Sequence, residues 1–215
     1  MSEFTLYRGN RNYSSWSMRA WLALRATGAS FREIPFHLGA PDYAAAIRAE
    51  SPAGKVPALR HGDLLVWDSL AITEYLAEQF PDAGIWQVDS HTRAGARAVT
   101  AEMHSGFPAL RAHMPFNVRR SSPGEARGTD VERDVERVME IWRTCRKTAD
   151  GPFLFGDWCA ADMFFAPVVS RFRSFGVELD QVSGDYALSV WEHADVAEWI
   201  AGAQTESETV PHYDG

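Results

Sequence analysis

The sequence predicts an α/β N-terminal domain over residues 1–84, followed by an all-α domain over residues 85–215. Three observations lead there. Residues 1–84 interleave strand and helix patterns, and the strand patterns stop after Pro81-Asp82-Ala83-Gly84. The charge shifts at the same place, from 8 basic and 9 acidic residues (net -1) in 1–84 to 13 basic and 20 acidic (net -7) in 85–215. With 46% hydrophobic residues in a chain of 215, there is ample apolar material for both cores.

Phe4-Thr5-Leu6-Tyr7 is a short β-prone run. From Ser15 to Thr27, Trp16, Ala20, Ala23 and Leu24 fall at spacings of three and four, one face of a helix. Gly28 stands where a left-handed residue ends such a helix. Phe31 to Leu38 alternates over part of its length and reads as a strand. Asp42 to Glu50 is Ala-rich and helical. Pro57-Ala58-Leu59-Arg60 and Leu64-Leu65-Val66-Trp67 flank His61-Gly62-Asp63, a hairpin pattern. Asp68 or Ser69 caps a helix that runs to Gln79 and is ended by Pro81. The order βαβ, helix, ββ, α predicts a mixed sheet with helices on its faces.

Residues 85–90 read as a linker, and 91–120, 129–149, 160–175 and 185–203 as helices. The charge-rich stretch Asp130 to Arg146 reads as a solvated helix face, with Val131, Val135, Val138 and Ile141-Trp142 turned inward. Residues 204–215 are polar and read as a loose tail, in which Val210-Pro211-His212-Tyr213 can tuck back onto the fold.

Composition and missing motifs exclude several functions. With 21 basic against 29 acidic residues the chain is net -8, a poor match for nucleic acid. No apolar run approaches the roughly 20 residues that span a bilayer, and the N-terminus lacks the pattern of a secretory leader. The two cysteines, Cys145 and Cys159, make no disulfide framework, so a cytoplasmic setting is expected. There is no G-x-G-x-x-G, no Walker-type loop and no G-x-S-x-G. The seven histidines show no metal-ligand spacing, so no metal is expected. The absence of C-x-x-C excludes a dithiol redox site.

Four stretches carry candidate chemistry. Asn12-Tyr13-Ser14-Ser15-Trp16-Ser17-Met18-Arg19 is a hydroxyl-rich turn between the first strand and the first helix. A helix start favours an anion, and a serine hydroxyl there can donate to a thiolate and favour its ionised form; such a serine is equally an ordinary N-cap. Gly54-Lys55-Val56-Pro57 is a loop entering a strand. A proline there can adopt a cis bond that exposes the backbone beside it, so a ligand peptide can pair with the main chain of Val56; a plain turn fits as well. Asp68-Ser69-Leu70-Ala71-Ile72 opens a helix. Asp68 can accept from an ammonium, and Ser69 with the helix end can hold a carboxylate, or the pair simply caps the helix. Gly156-Asp157-Trp158-Cys159-Ala160-Ala161-Asp162 is a structural helix start with Asp162 at N3.

In that order and at those distances, the serine turn, G-K-V-P, D-S-L-A-I and the GD…AD cap resemble the cytosolic glutathione S-transferases over nearly the whole chain. Within the family the start is most similar to the zeta, maleylacetoacetate isomerase-like, class. Ser14-Ser15-Trp16-Ser17-Met18-Arg19 matches its S-S-C-x-x-R pattern at both serines and the arginine, and Trp16 departs at the cysteine.

The resemblance implies a thioredoxin-like glutathione-binding domain over 1–84 and a helical domain that supplies most of the second-substrate pocket. It implies glutathione as co-substrate, a small hydrophobic electrophile as its partner and a homodimer. By the match, Ser14 stabilises the thiolate with Ser15 in support, and Val56 offers its main chain beside a cis-Pro57. Asp68 and Ser69 grip the γ-glutamyl end, and Lys55 reaches a carboxylate. Tyr7 is the rival activator, because other classes use a tyrosine near the end of the first strand. Conjugation is the expected reaction, with glutathione-dependent cis–trans isomerisation and non-catalytic ligand binding as alternatives. Cys159 replaces the usual Ser or Thr cap. Ser174, with Arg171 and Arg173 close by, stands near the place of the zeta isomerase's dicarboxylate-binding arginine. Met103, His104, Phe107, Arg111 and Phe116 are expected around the second substrate, although Met103 and Phe107 at i,i+4 suit core packing too. Arg93 and Arg97 are expected at the subunit contact.

Overall fold

The computed structural model describes residues 3–126 and 128–214. Strand β1 (Phe4–Gly9), helix α1 (Ser15–Ala26), β2 (Phe31–Phe36), α2 (Tyr43–Glu50), β3 (Ala58–His61), β4 (Leu64–Trp67) and α3 (Ser69–Gln79) follow in chain order. The sheet order is β2-β1-β3-β4, with β2 parallel to β1 and the other pairs antiparallel. Gly62 at φ +59° makes the two-residue β3–β4 turn with Asp63, and Gly28 at φ +67° follows the end of α1. Because strand side chains alternate, Phe4, Leu6 and Leu59 enter the main core with α1 and α3, whereas Tyr7 and Ala58 pack with Ile47 of α2 in a small separate cluster.

Beyond a 3-10 turn at Pro81–Ala83, the described residues are helical or irregular apart from one isolated bridge. They form α4 (Ser90–Ser105), α5 (Pro108–His113), α6 (Thr129–Arg146), α7 (Ala160–Phe175), α8 (Gln181–Glu192), α9 (Ala194–Thr205) and the short α10 (Pro211–Asp214). One core runs from Phe4 through α1 and α7 to Ile200. Helix α1 is its axis, with Ser17 to Leu24 all buried, in contact with β1, α3, α7 and α9. Asp162 secures the start of α7. Its two carboxylate oxygens accept from the backbone N–H of Leu154 and of Cys159, each at 3.0 Å.

Three segments differ from the sequence-based expectation. The helix expected over 91–120 stops at Ser105 and resumes only for α5, because Phe107 sits at φ +62° ahead of Pro108. Arg111 ties the break together by donating to the carbonyls of Met103, His104 and Gly106. The helix expected over 185–203 is two helices, α8 and α9. They part at His193, whose Nδ1 accepts from the Asp195 N–H at 3.3 Å and caps α9. The 85–90 connection is anchored at its start: Ile85 is buried, and its carbonyl accepts from Ala160 N at 2.9 Å.

Candidate functional site

A cavity of about 250 Å³ opens between the sheet-bearing part and α4. Trp16 of α1, Ala53 and Lys55-Val56-Pro57 ahead of β3, Trp67, the Asp68-Ser69 start of α3 and His104 of α4 line it. The Val56–Pro57 peptide is cis. The G-K-V-P and D-S-L-A-I stretches therefore meet on one wall, as one recognition surface requires.

Asp68 holds an unusual backbone conformation for a residue with a side chain, φ +74° and ψ 134°. Its Oδ1 accepts from Leu70 N at 2.8 Å and Ala71 N at 3.4 Å, which caps α3. Its Oδ2 faces His104 Nε2 at 3.2 Å. Ser69, the first residue of α3, is 1% exposed, and its Oγ has no hydrogen-bond partner among the described residues. A buried hydroxyl without a partner costs free energy, about 1–3 kcal/mol. On a cavity wall at a helix N-terminus, a carboxylate ligand would satisfy it.

His104 stands edge-on to Trp16, with ring centroids 5.3 Å apart. Burial pushes its pKa down, the Asp68 carboxylate pushes it up, and Arg19 and Arg111 push it down again, for a net fall. Arg19 and Arg111 both lie over the Trp16 ring, at 4.5 and 4.7 Å from its centroid. Arg19 is wholly buried, and its three guanidinium nitrogens have no hydrogen-bond partner among the described residues. Burial, then Arg111 and Arg171, hold its pKa well below the ordinary arginine value, opposed by Asp68. Arg171 of α7, lowered to about 9 by burial and Arg111, donates to Met114 O at 2.8 Å and to Ser15 Oγ at 3.3 Å.

Ser14 and Ser15 are buried just ahead of Trp16, at the start of α1, and are not on the cavity wall. Ser14 is the N-cap of α1 and accepts from Ser17 N at 3.2 Å. The turn that carries it is braced from the far end of the chain. The Glu206 carboxylate accepts from Arg11 N at 2.7 Å and Asn12 N at 3.0 Å. Asn12 Nδ2 donates to Asn117 Oδ1 at 2.9 Å, and Tyr13 stacks on Tyr213 at 5.7 Å. Tyr7 lies in the small α2-side cluster, off the cavity wall, and its hydroxyl accepts from Arg60 Nε at 3.0 Å.

Met103, Phe107 and Phe116 are core residues and do not line the cavity; of the five candidates in this region only His104 does. Arg97 pairs with Glu74 through two contacts of 3.0 and 2.8 Å, and Arg93 donates to the carbonyls of Gln87 and Val88. Sequence reasoning passed over Trp67 and the surroundings of Arg19. Asp68 next to Trp67 was the available signal for the first; the second depends on Phe164, far away in the chain, whose ring lies 5.0 Å from the Arg19 guanidinium.

A family model of the glutathione S-transferase N-terminal domain matches residues 10–84. The maleylacetoacetate isomerase of Pseudomonas aeruginosa is 32% identical over 193 residues, 84% of this chain and 85% of that one. The maleylacetoacetate isomerase of Rattus norvegicus is 26% identical over 81% of this chain and 80% of its own. A glutathione transferase homologue from Burkholderia, solved with bound glutathione, has a TM-score of 0.70 at 27% identity, covering 95% of this chain and all 100% of its own. A bacterial zeta-class maleyl pyruvate isomerase shares the fold, with a TM-score of 0.74 at 24% identity over 95% of this chain and 100% of that one. The chain belongs to the glutathione S-transferase family of enzymes, with the family's thioredoxin-like N-terminal domain. Within that family it is most like the zeta class, that of the maleylacetoacetate isomerases.

The environment of His104 sets a direct test. Its ring should titrate below the usual 6.5 and be neutral at pH 7. Asp68→Asn removes the one neighbour that favours the cation and should lower the midpoint further. Histidine NMR titration reads both; a midpoint above 6.5, or a rise in the variant, contradicts this picture of the site.

Proposed function

We propose that the chain binds glutathione in the 250 Å³ cavity and places its thiolate beside a small hydrophobic electrophile. The observation that carries this reading is the buried, unpartnered Ser69 Oγ beside Asp68, on the wall shared with Val56 and the cis-Pro57. The γ-glutamyl carboxylate takes Ser69 and the N–H groups at the start of α3, and its ammonium takes Asp68. Val56 pairs with the cysteinyl part beside Pro57, and exposed Lys55 reaches a carboxylate.

The thiol loses its proton to solvent on binding. Ser14, buried at the positive end of α1 two residues before the cavity-lining Trp16, is the donor assigned to the thiolate, which must reach past the cavity wall to meet it; Ser15 and the Arg171 guanidinium stand in support. The thiolate then attacks the electrophile held next to it, so that positioning and nucleophile activation supply the rate.

The names of the similar proteins, together with the buried or half-buried guanidinium groups of Arg19 and Arg111 over Trp16 and of Arg171 on Ser15, favour a second reading, glutathione-dependent cis–trans isomerisation of an anionic substrate. There the thiolate adds to a double bond, the adduct rotates, and the thiolate leaves. A glutathione adduct in the products marks conjugation; recovery of glutathione with an isomerised product marks the alternative.

Ser14→Ala should lower turnover by about a hundredfold with glutathione affinity nearly unchanged. Tyr7→Phe should leave turnover intact; the reverse pattern would assign activation to Tyr7. Ser69→Ala, and Asp68→Asn, which keeps a helix cap, should each weaken glutathione binding by roughly ten- to a hundredfold, the worth of a charge-assisted hydrogen bond. Calorimetry decides, and unchanged affinity in both would remove the γ-glutamyl assignment.

The reading includes a homodimer. Arg93 and Arg97, expected at the subunit contact, also have partners within the chain, the carbonyls of Gln87 and Val88 and the Glu74 carboxylate. Sedimentation at micromolar protein should give twice 24.0 kDa, and a 24.0 kDa species would rule the dimer out.

A further inference from the structure

Beneath Ser14 lies a second hydroxyl that the proposed function does not use. Ser17 is 0% exposed, and its Oγ is 2.8 Å from Ser14 Oγ. The same Oγ accepts from the Gly9 backbone N–H at 3.0 Å. Glycine at position 9 permits this approach, because a Cβ there would lie 3.0 Å from the Ser14 Cβ and from Leu38.

The position of the protons follows from hydrogen-bond satisfaction. A serine has one O–H to donate and two lone pairs to accept with. Ser17 Oγ accepts from Gly9, so its own proton needs an acceptor, and Ser14 Oγ is the one within reach among the described hydrogen bonds. If Ser14 donated to Ser17 instead, the Ser17 proton would be left buried without a partner. The heavy-atom contact alone fits either direction; satisfying every proton selects Ser17 O–H donating to Ser14 Oγ, which also accepts from Ser17 N. Ser14 Oγ then has both lone pairs occupied and its proton unassigned.

We propose that Ser17 is a positioning residue for thiol activation: the chain Gly9 N–H to Ser17 Oγ, Ser17 O–H to Ser14 Oγ leaves the Ser14 proton uncommitted within the protein and strengthens it as a donor to the thiolate. Hydrogen bonds in series polarise one another, so a donor that itself accepts two bonds gives its proton more strongly. The inference rests on the reading of Ser14 as the thiolate donor. The charged groups around the turn, Arg171 on Ser15 and Glu206 under Arg11 and Asn12, make no described hydrogen bond to Ser14 or Ser17 and stay constant across the variants.

The readout is the pKa of enzyme-bound glutathione, followed by thiolate absorbance in the ultraviolet against pH. Ser17→Ala should raise it by about half a unit to one unit, and Ser17→Thr, which keeps the hydroxyl, should restore it. In a Ser14→Ala background, Ser17→Ala should cause no further shift, a non-additivity that a general packing defect would not produce. Ser17→Ala also strips the Gly9 N–H of its acceptor, so Ser17→Cys, of similar volume and a poor donor, is run beside it and should raise the pKa in the same direction. An unchanged pKa in folded Ser17→Ala or Ser17→Cys, with Ser14→Ala shifted, overturns the relay alone. An equal shift in both backgrounds also overturns it. If Ser14→Ala itself leaves the pKa in place, the serine reading falls and the relay with it.

Discussion

Helix α1 is enclosed by β1, α3, α7 and α9, and from Ser17 to Leu24 every residue is buried. Its orientation is therefore not adjustable, and everything attached to its N-terminus inherits a fixed direction. Ser14, Ser15 and Trp16 leave the helix start within one turn of each other, each with a different partner: Ser17, Arg171 and a pair of guanidinium groups. A close-packed interior holds such angles without further devices, since a tilt of α1 would open voids against four neighbours at once.

The same enclosure leaves the buried Arg19 guanidinium without a hydrogen-bond partner among the described residues; the faces of Trp16 and Phe164 offset part of its desolvation. Arg111 and Arg171 lie near it, opposed by Asp68, with Asp134 beside Arg111, so basic groups outnumber acidic ones around Arg19. Under the proposed function, the field of these groups would favour a negatively charged thiolate over a longer range than any single hydroxyl can act.

Much of the architecture was legible because its signals are local. Gly28, the Gly62-Asp63 turn and Asp162 at N3 mark ends that backbone geometry alone decides, and the structure puts α7 at the expected residues 160–175. The break at Gly106-Phe107-Pro108 was also written locally, in a residue forced out of helical geometry ahead of proline, but the apolar periodicity on both sides concealed it. The parting at His193 depends on a histidine acting as a cap, a use that residue identity does not announce. In the site, the convergence of Lys55-Val56-Pro57 with Asp68-Ser69 follows from the sheet order, whereas the surroundings of Trp16 and Arg19 are made by α4 and α7 and have no local signature.

The brace on the first turn has a consequence in time. Arg11 N and the Glu206 carboxylate that receives it are 195 positions apart. A chain made from its N-terminus and folding as it emerges can pair β1 with β2 and seat α1 early. The turn at residues 10–14, however, lacks its carboxylate clamp until α9, whose C-cap is Glu206, has been synthesised and has packed on α1. The turn that carries Ser14 is thus among the last parts of the N-terminal domain to gain its long-range partners.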